Sequence, residues 1–266
     1  CPMGQVCKGD ACVALFCQPG EKVCEGEGAT KTCNAEGEAF DPPVNCADTE
    51  GCSVGQCTSL CLLAEATPSS VGCSFFAQRM DNYSNNTNDS LIVGNVSKTK
   101  SASVQLYFTP NGSHQEAASG DPVVLQPGEA HVFQLDNSTI TGFSAIRNGG
   151  VYRVKSDIPT IAYLNSPLKN TNSNDSSLLL PLKTLRQDYV VASYPAWVNP
   201  KDPEGYGGRP SYFNIIALEN DTTIEWIPKR DSAGNGSVAD VAARVFTIEG
   251  PTVRLVSPAA AGQLDI

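Results

Sequence analysis

The cysteines of this chain are confined to its N-terminal part, and this distribution constrains the fold more than any other feature. The sequence of 266 residues contains 11 cysteines, and Cys73 is the last of them. Two runs, Cys1–Cys17 and Cys46–Cys61, have nearly the same internal spacing. A repeated spacing of this kind predicts two related cysteine units. The chain is therefore expected to have a cross-linked head, residues 1–66, followed by a body, residues 67–266.

The head is poor in residues that could stabilise it by burial. Phe16 and Phe40 are its only aromatic residues, so a segment this small needs covalent links or a metal ion. Zinc sites usually contain closely paired cysteines, as in C-x2-C, and the head has no such pair. His114 and His131 both lie in the body. The sequence therefore predicts disulfides rather than a metal site, and with them a secreted, periplasmic or cell-surface location.

The odd number of cysteines leaves one of them without a partner in the chain. Ten are predicted to form disulfides, in an order that spacing does not reveal: Cys7, Cys12, Cys17, Cys24, Cys33, Cys46, Cys52, Cys57, Cys61 and Cys73. Cys1 is predicted to be unpaired or to carry a lipid anchor. Two alternatives stay open. Cys1 occupies the place that Cys46 has in the second unit, which favours a structural partner, or the chain begins inside a longer cysteine array.

The charge and hydropathy of the chain exclude several classes of partner. The formal net charge is -10, which argues against nucleic acid and against an anionic membrane surface. No stretch approaches the roughly 20 apolar residues of a membrane-spanning helix. The alternating residues 262–266 predict a strand that continues past the end of this fragment.

The body consists of short apolar or alternating runs separated by turn residues. Such a pattern predicts an all-β fold, an antiparallel β-sandwich, with two packed sandwiches as the alternative. Residues 158–164 are predicted to form a buried strand entered through Pro159, and residues 178–181 an apolar plug, with a binding site as the alternative for both stretches. The best helix candidate is the short segment 237–244. The small disulfide-rich head is expected to be dominated by loops.

A long proline-rich segment interrupts the runs of the body. Residues 195–210 contain four prolines, and a loop of this length is often a binding element, with simple insertion as the alternative. Its aromatic residues Trp197 and Tyr206, together with Tyr212 just after it, are the predicted ligand contacts.

Motifs of common enzymes are almost absent from the sequence. No HExxH or G-x-x-x-x-G-K run is present, and the one G-x-S-x-G run, residues 51–55, lies between cysteines of the head, whereas both histidines are in the body. A Ser-His-Asp arrangement would need His114 or His131, and both positions are typical of surface residues. The chain is therefore expected not to be an enzyme and to use no cofactor.

Four segments of the body resemble the IgGFc-binding-protein N-terminal domain family. They are residues 72–82, 156–168, 174–181 and 217–224, and the resemblance extends in order over about residues 70–266. Bacterial members of this family, which are large secreted or surface proteins, often have a cysteine-rich segment in front of the domain. The run 164–167, Leu-Asn-Ser-Pro, departs from the Gln-Phe-Asn-Pro type segment of the family.

The resemblance implies an extracellular binding or adhesion module on an all-β scaffold, with a protein or glycan as its partner. It does not imply immunoglobulin binding, because fold and family do not determine the ligand. A structural subunit or spacer of a cell-surface assembly is the alternative function. If the protein is bacterial, an outer-membrane-associated location is implied.

Overall fold

The structure, a computed structural model, describes residues 1, 5–79, 89–135, 145–146, 148–166, 174–190, 212–219, 221–226, 244–248 and 253–256. Strands dominate these residues, so the all-β prediction is confirmed. Several predictions fall outside the described residues: the helix candidate up to residue 243, the loop 195–210 with Trp197 and Tyr206, and the run 262–266.

The head is built from short antiparallel hairpins held together by disulfides. Its elements are β1 (Gln5–Lys8), β2 (Ala11–Ala14), β3 (Lys22–Glu25), β4 (Ala29–Thr32), β5 (Val44–Asn45), β6 (Glu50–Ser53), β7 (Gln56–Ser59) and the helix α1 (Leu60–Glu65). β1 pairs with β2 and β6 with β7, and β3, β4 and β5 form a sheet of three strands. The head therefore has more regular structure than the loop-dominated segment that composition predicts.

The body is centred on one sheet of eight strands. Its elements are β8 (Gly72–Ala77), β9 (Ser90–Asn95), β10 (Ala102–Thr109), β11 (Ala117–Ala118), β12 (Val123–Leu125), β13 (Ala130–Gln134), β14 (Ala145–Ile146), β15 (Val151–Ser166), β16 (Asp175–Leu178), a 3-10 turn (Leu182–Thr184), β17 (Tyr212–Ile215), β18 (Thr222–Trp226), β19 (Arg244–Ile248) and β20 (Val253–Val256). The order through the large sheet is β11-β10-β15-β9-β13, with β12 beside β10 and β8 and β16 beside β15. Separate small sheets contain β14-β20-β17 and β18-β19.

The long strand β15 joins the two halves of this sheet. Its first half pairs with β8 and β10, and its second half pairs with β9 and β16. The register shifts between Lys155 and Thr160, where the partners change. Pro159 lies inside this irregular stretch, where its missing N–H removes no bond of a regular ladder. The sequence predicts two strands here because its apolar pattern is interrupted, whereas the backbone continues as one.

The core lies between the two halves of the folded sheet. In β8, β9, β10 and β15 the buried residues largely alternate with more exposed ones, and both halves of β15 contribute to one apolar cluster. Burying one face of each strand in this way is the arrangement of a sandwich. The largest members of the cluster include Phe75, Leu91, Val93, Val104, Leu135, Tyr152, Val154 and Ile158.

Five disulfides link the head, and they correct the predicted role of Cys1. The bonds are Cys1–Cys12, Cys17–Cys33, Cys24–Cys52, Cys46–Cys57 and Cys61–Cys73. Cys7, which was expected to be bonded, is the free cysteine, and it is exposed. The hairpin brings the sulfur atoms of Cys1, Cys7 and Cys12 within 4.8 Å of one another, so spacing could not decide which of them stays a thiol. Because the Cys1 sulfur is already bonded, it has no thiol left to carry a thioether-linked lipid.

The second half of the head lies against the body. The Lys100 ammonium donates hydrogen bonds to the carbonyl oxygens of Asp48 and Glu50, at 2.7 and 3.0 Å. Cys61 Sγ lies 3.7 Å from the carbonyl oxygen of Ser156, in the irregular stretch of β15, and Cys61 is bonded to Cys73 on β8. The predicted boundary after residue 66 falls in the turn that follows α1. Covalent and polar links therefore cross that boundary.

Two local predictions differ from the structure. The helix α1 was missed, although Ser59 is a typical N-cap whose hydroxyl accepts a hydrogen bond from the Cys61 N–H at 3.2 Å. The apolar plug is only partly buried, since Leu178 and Leu180 are 45% and 49% exposed. Leu179 packs against the core. Alternation along an extended segment exposes every second residue, which the predicted plug did not take into account.

A pair of glycine substitutions tests how closely β6–β7 approaches β3. Gly9 and Gly55 both have a positive φ, and only Gly55 has no space for a Cβ atom, which would collide with the Lys22 carbonyl. We expect Gly9→Ala to cost about 1–2 kcal/mol from the left-handed conformation alone. Gly55→Ala adds a packing clash of about 1–3 kcal/mol. Amide hydrogen exchange across β3–β7 measures the difference, and equal exchange rates in the two variants would contradict the close approach.

Candidate functional site

The outer face of the body carries a row of aromatic and charged side chains. The inward residues of β8, β10 and β15 are mostly apolar, and the alternate residues point away from the core. Tyr107 is directly opposite Arg153, and Arg153 is directly opposite Phe76. Lys155 lies two residues along the same face of β15. We name Phe76, Tyr107, Glu116, Arg153 and Lys155 the outer-face cluster.

Arg153 is held at the centre of this cluster. Its Nε donates to one carboxylate oxygen of Glu116 at 2.6 Å, and its Nη2 donates to the other. The guanidinium carbon lies 5.5 Å from the Phe76 ring centroid and 5.7 Å from that of Tyr107. Guanidinium groups are attracted to aromatic faces at these distances. A bidentate ion pair between two aromatic rings makes this part of the face rigid.

The cluster presents a surface suited to recognition. The Arg153 and Glu116 side chains are 21% and 23% exposed, and the Lys155 ammonium lies 5.1 Å from the Tyr107 ring centroid. Aromatic faces and fixed polar groups provide contact area at low entropic cost. The cluster combines two aromatic rings, one carboxylate and two cations, and it is a candidate contact surface.

A second polar group is buried where β8 and β15 end and β9 begins. The Ser166 hydroxyl donates to Asp89 Oδ1 at 3.0 Å, and Arg79 Nε lies 3.8 Å from Asp89 Oδ2. The Asp89 side chain is 2% exposed. Nearby, Gln78 directly after β8 is buried, and the Ser90 hydroxyl on β9 donates to Gln134 Oε1 at 3.3 Å. A carboxylate buried with a cation and a hydroxyl joins three strand ends and has the character of a structural network.

The histidines and cysteines that were considered for an enzymatic or metal site have the following places in the structure. His131 lies on β13, and its ring contacts that of Phe133 at a centroid distance of 4.6 Å. His114 is exposed in the segment before β11. Among the described residues, Cys1, Cys7 and Cys12 are the group whose ligand atoms come close enough for a metal ion. Two of these sulfurs are bonded to each other, so they do not offer three thiolates.

Of the three predicted ligand contacts, Tyr212 alone belongs to the described residues. Trp197 and Tyr206 lie outside the described residues. Tyr212 is the first residue of β17, where it pairs with Val256 of β20. The outer-face cluster was missed, although a signal existed. Phe76 and Tyr107 are aromatic residues at positions that strict alternation assigns to solvent.

The comparisons with known proteins find a family for part of the body. Residues 175–253 match the family model described as IgGFc binding protein. The matched region begins at β16 and ends at the first residue of β20. It is therefore shorter than the resemblance over about residues 70–266 that the sequence predicts, and it does not include the head or the outer-face cluster.

The other comparisons are less informative. A solved structure described as the crystal structure of Thermotoga maritima 1070 shares 14% identity with this chain, and the match covers 41% of this chain and 91% of that one. Its TM-score is 0.29, so the likeness carries no argument about fold or function. No curated protein matches the chain at a significant level.

Proposed function

We propose that this chain is an extracellular, non-catalytic binding module that recognises a protein or a glycan at a cell surface. The observation that carries the proposal is the match of residues 175–253 to the IgGFc binding protein family. Five disulfides in the head support a secreted or cell-surface location, since such bonds persist in oxidising compartments. No helix in the described part of the chain is long and apolar enough to cross a membrane.

Two surfaces are candidates for the ligand contact. Trp197, Tyr206 and Tyr212 all fall within the matched region, and aromatic residues often provide most of the binding energy at interfaces. The outer-face cluster is the second candidate, because Arg153 and its aromatic neighbours are fixed and partly exposed. The two surfaces can be tested separately because they share no residue.

The experiment measures binding of the immobilised full chain to immunoglobulin G and to an array of extracellular glycans. We expect at least one ligand, and replacing both Trp197 and Tyr206 with alanine should weaken its binding by about thirtyfold or more, the loss typical of aromatic hot spots. Tyr189→Ala is the matched control, since Tyr189 is an exposed aromatic residue in the matched region outside the loop. Loss of binding in Arg153→Met instead would assign the contact to the outer-face cluster.

Some outcomes would contradict the proposal itself. If no probe binds, or if the two loop substitutions and Arg153→Met all leave binding unchanged, neither surface is the ligand contact. Mass spectrometry of the bound probe after incubation tests for catalysis. A covalently altered probe would contradict the non-catalytic assignment.

A structural subunit or spacer of a cell-surface assembly is the second candidate function. The two cysteine units of the head favour it, because stacked cross-linked units extend a chain. Analytical ultracentrifugation of the full chain at micromolar concentration distinguishes the two functions. Reversible self-association without any ligand would favour the spacer, and a monomer would favour the binding module.

A further inference from the structure

The hairpins β1–β2 and β6–β7 are structurally equivalent. Each is an antiparallel pair in which two cysteines are directly opposite each other: Cys7 faces Cys12, and Cys52 faces Cys57. These facing cysteines are not bonded to each other in either hairpin. The bonded cysteines, Cys12, Cys52 and Cys57, therefore have partners outside their own hairpin.

Most of the bonds around the two hairpins follow the same plan. Cys12 is bonded to Cys1 and Cys57 to Cys46, each with a sequence separation of 11. After each hairpin a cysteine is bonded to one further along the chain, in the pairs Cys17–Cys33 and Cys61–Cys73, with separations of 16 and 12. The equivalence inferred from spacing thus extends to connectivity.

One position breaks the plan. Cys52, the first cysteine of the second hairpin, is bonded to Cys24 on β3, 28 residues earlier. Cys7, the first cysteine of the first hairpin, is an exposed thiol. The first hairpin therefore has no bonded counterpart of Cys24 within the chain.

The bond between Cys24 and Cys52 joins two consecutive units. The Cys52 N–H donates to the Glu27 carbonyl at 2.7 Å, and the Cys46 N–H donates to the Gly28 carbonyl at 2.8 Å. These bonds place β6–β7 on the turn that connects β3 and β4. As a result, Gly51 of β6 is buried and its neighbours are half-buried.

In the first hairpin, no segment of the described residues buries strand β2. All four residues of β2 are exposed, including Val13 at 43%. The corresponding strand of the second hairpin, β7, has two exposed and two half-buried residues. An open strand pair with an exposed thiol at its edge is unusual for a structure that is otherwise fully cross-linked.

We propose that Cys7 is the attachment point for a further unit, whose cysteine has the role that Cys24 has for the second hairpin and is not among residues 1–266. The two thiols form one S–S bond and release two protons. Two electrons pass to a disulfide oxidant of the exporting compartment, which is reduced to two thiols. The unit could belong to the same polypeptide or to a different protein, and the chemistry of the bond is the same in both cases.

The two cysteine units differ in whether they carry a cysteine for a neighbouring unit, and this difference supports the proposal. Between Cys17 and Cys33 lies β3 with Cys24, the cysteine that reaches the following hairpin. Between Cys61 and Cys73 lies α1, and that interval contains no other cysteine. The second unit therefore has no cysteine that could bond to a following unit, and the body comes after it. The first unit, in contrast, has the free cysteine Cys7, which could bond to a preceding unit.

Exchange within the first unit does not remove the need for a partner. Cys7 Sγ lies 2.6 Å from Cys1 Sγ, and attack of the Cys7 thiolate on Cys1 would form Cys1–Cys7 and release the Cys12 thiolate. Three sulfurs can form only one bond among themselves, so one thiol remains in every arrangement.

The equivalence of the two hairpins is limited to their strands and cysteines. Their turns differ, since Asp10 stands where the second turn has Gly55.

The experiment identifies the partner of Cys7 in the protein purified from its natural source. Free thiols are blocked with N-ethylmaleimide at harvest, the unreduced protein is digested, and peptides are identified by mass spectrometry. We expect the Cys7 peptide to be linked to a peptide that contains a cysteine from outside residues 1–266. Electrophoresis before and after reduction separates the two sources, because reduction releases a second chain only if the partner is a different protein.

Two matched variants complete the test. Cys52→Ser should expose Cys24 as one new maleimide-reactive cysteine, and Cys7→Ser should expose one on the partner unit in the same way. The proposal is overturned if Cys7 in the natural protein carries maleimide. It is also overturned if Cys7 is bonded to Cys1, to Cys12 or to the Cys7 of a second copy.

Discussion

Replacing Phe75 with alanine is expected to lower the free energy of unfolding of the body by about 3–5 kcal/mol, the usual cost of removing a buried phenylalanine. Phe75 is 0% exposed and belongs to the central apolar cluster. It lies on β8 opposite Val154 of β15, the strand that connects both halves of the sheet. A cavity at this point would therefore affect the packing of both halves.

The neighbouring residue provides the control for this prediction. Phe76 is also a phenylalanine on β8, but it is half-buried and points to the outer face. Phe76→Ala should cost about 1 kcal/mol, from one partial burial and one cation–π contact. Urea unfolding followed by tryptophan fluorescence measures both variants. Equal destabilisation by the two substitutions would contradict the assignment of inward and outward faces.

Removing the disulfide between Cys24 and Cys52 is expected to destabilise the head by about 3–4 kcal/mol, from the loop-closure entropy of a 28-residue separation. This bond is expected to matter because it joins the two cysteine units, and few buried apolar residues support the head. Among the described residues of the head, six are buried, and three of these are glycines: Cys17, Ala29, Cys33, Gly37, Gly51 and Gly55. In Cys24→Ala/Cys52→Ala, amide exchange in β3–β7 should be several hundredfold faster, since about 1.4 kcal/mol corresponds to a factor of ten.

Cys7→Ala is the matched control for the loss of this bond. Cys7 has no disulfide within the chain, so its substitution should change the exchange rates in β3–β7 by less than about threefold. A double variant that exchanges no faster than Cys7→Ala would show that the head is held by noncovalent packing. Both variants should leave the unfolding of the body, followed by fluorescence, close to that of the unmodified chain.

The fold class follows from local patterns that the chain carries along its whole length. Alternation in segments such as 102–109 fixes which side chains can face a core, because successive residues of a strand point to opposite sides. Cysteine spacing likewise predicted two related units, and the structure shows their equivalent hairpins. These features depend only on residues that are close in sequence.

The candidate site was less accessible to sequence reasoning. Tyr107, Arg153 and Phe76 come from three strands that are far apart in the chain, and pairing alone places them in one row. Glu116 joins them from the segment that leads into β11. Nothing near Arg153 in the sequence indicates its carboxylate partner, since the two residues are 37 positions apart. A prediction based on motifs looked for the site in a loop because loops, unlike sheet faces, are visible as interruptions of a pattern.

Local sequence patterns are sufficient to predict that the chain is β-rich, that its first 73 residues are cross-linked and that one cysteine lacks a partner within the chain. The identity of that cysteine, Cys7, and the continuity of β15 through both halves of the sheet are visible only in the folded chain. The difference lies in the range of the interactions. Alternation and composition act between neighbours, whereas disulfide choice and strand pairing depend on which distant segments the folded backbone brings within bonding distance.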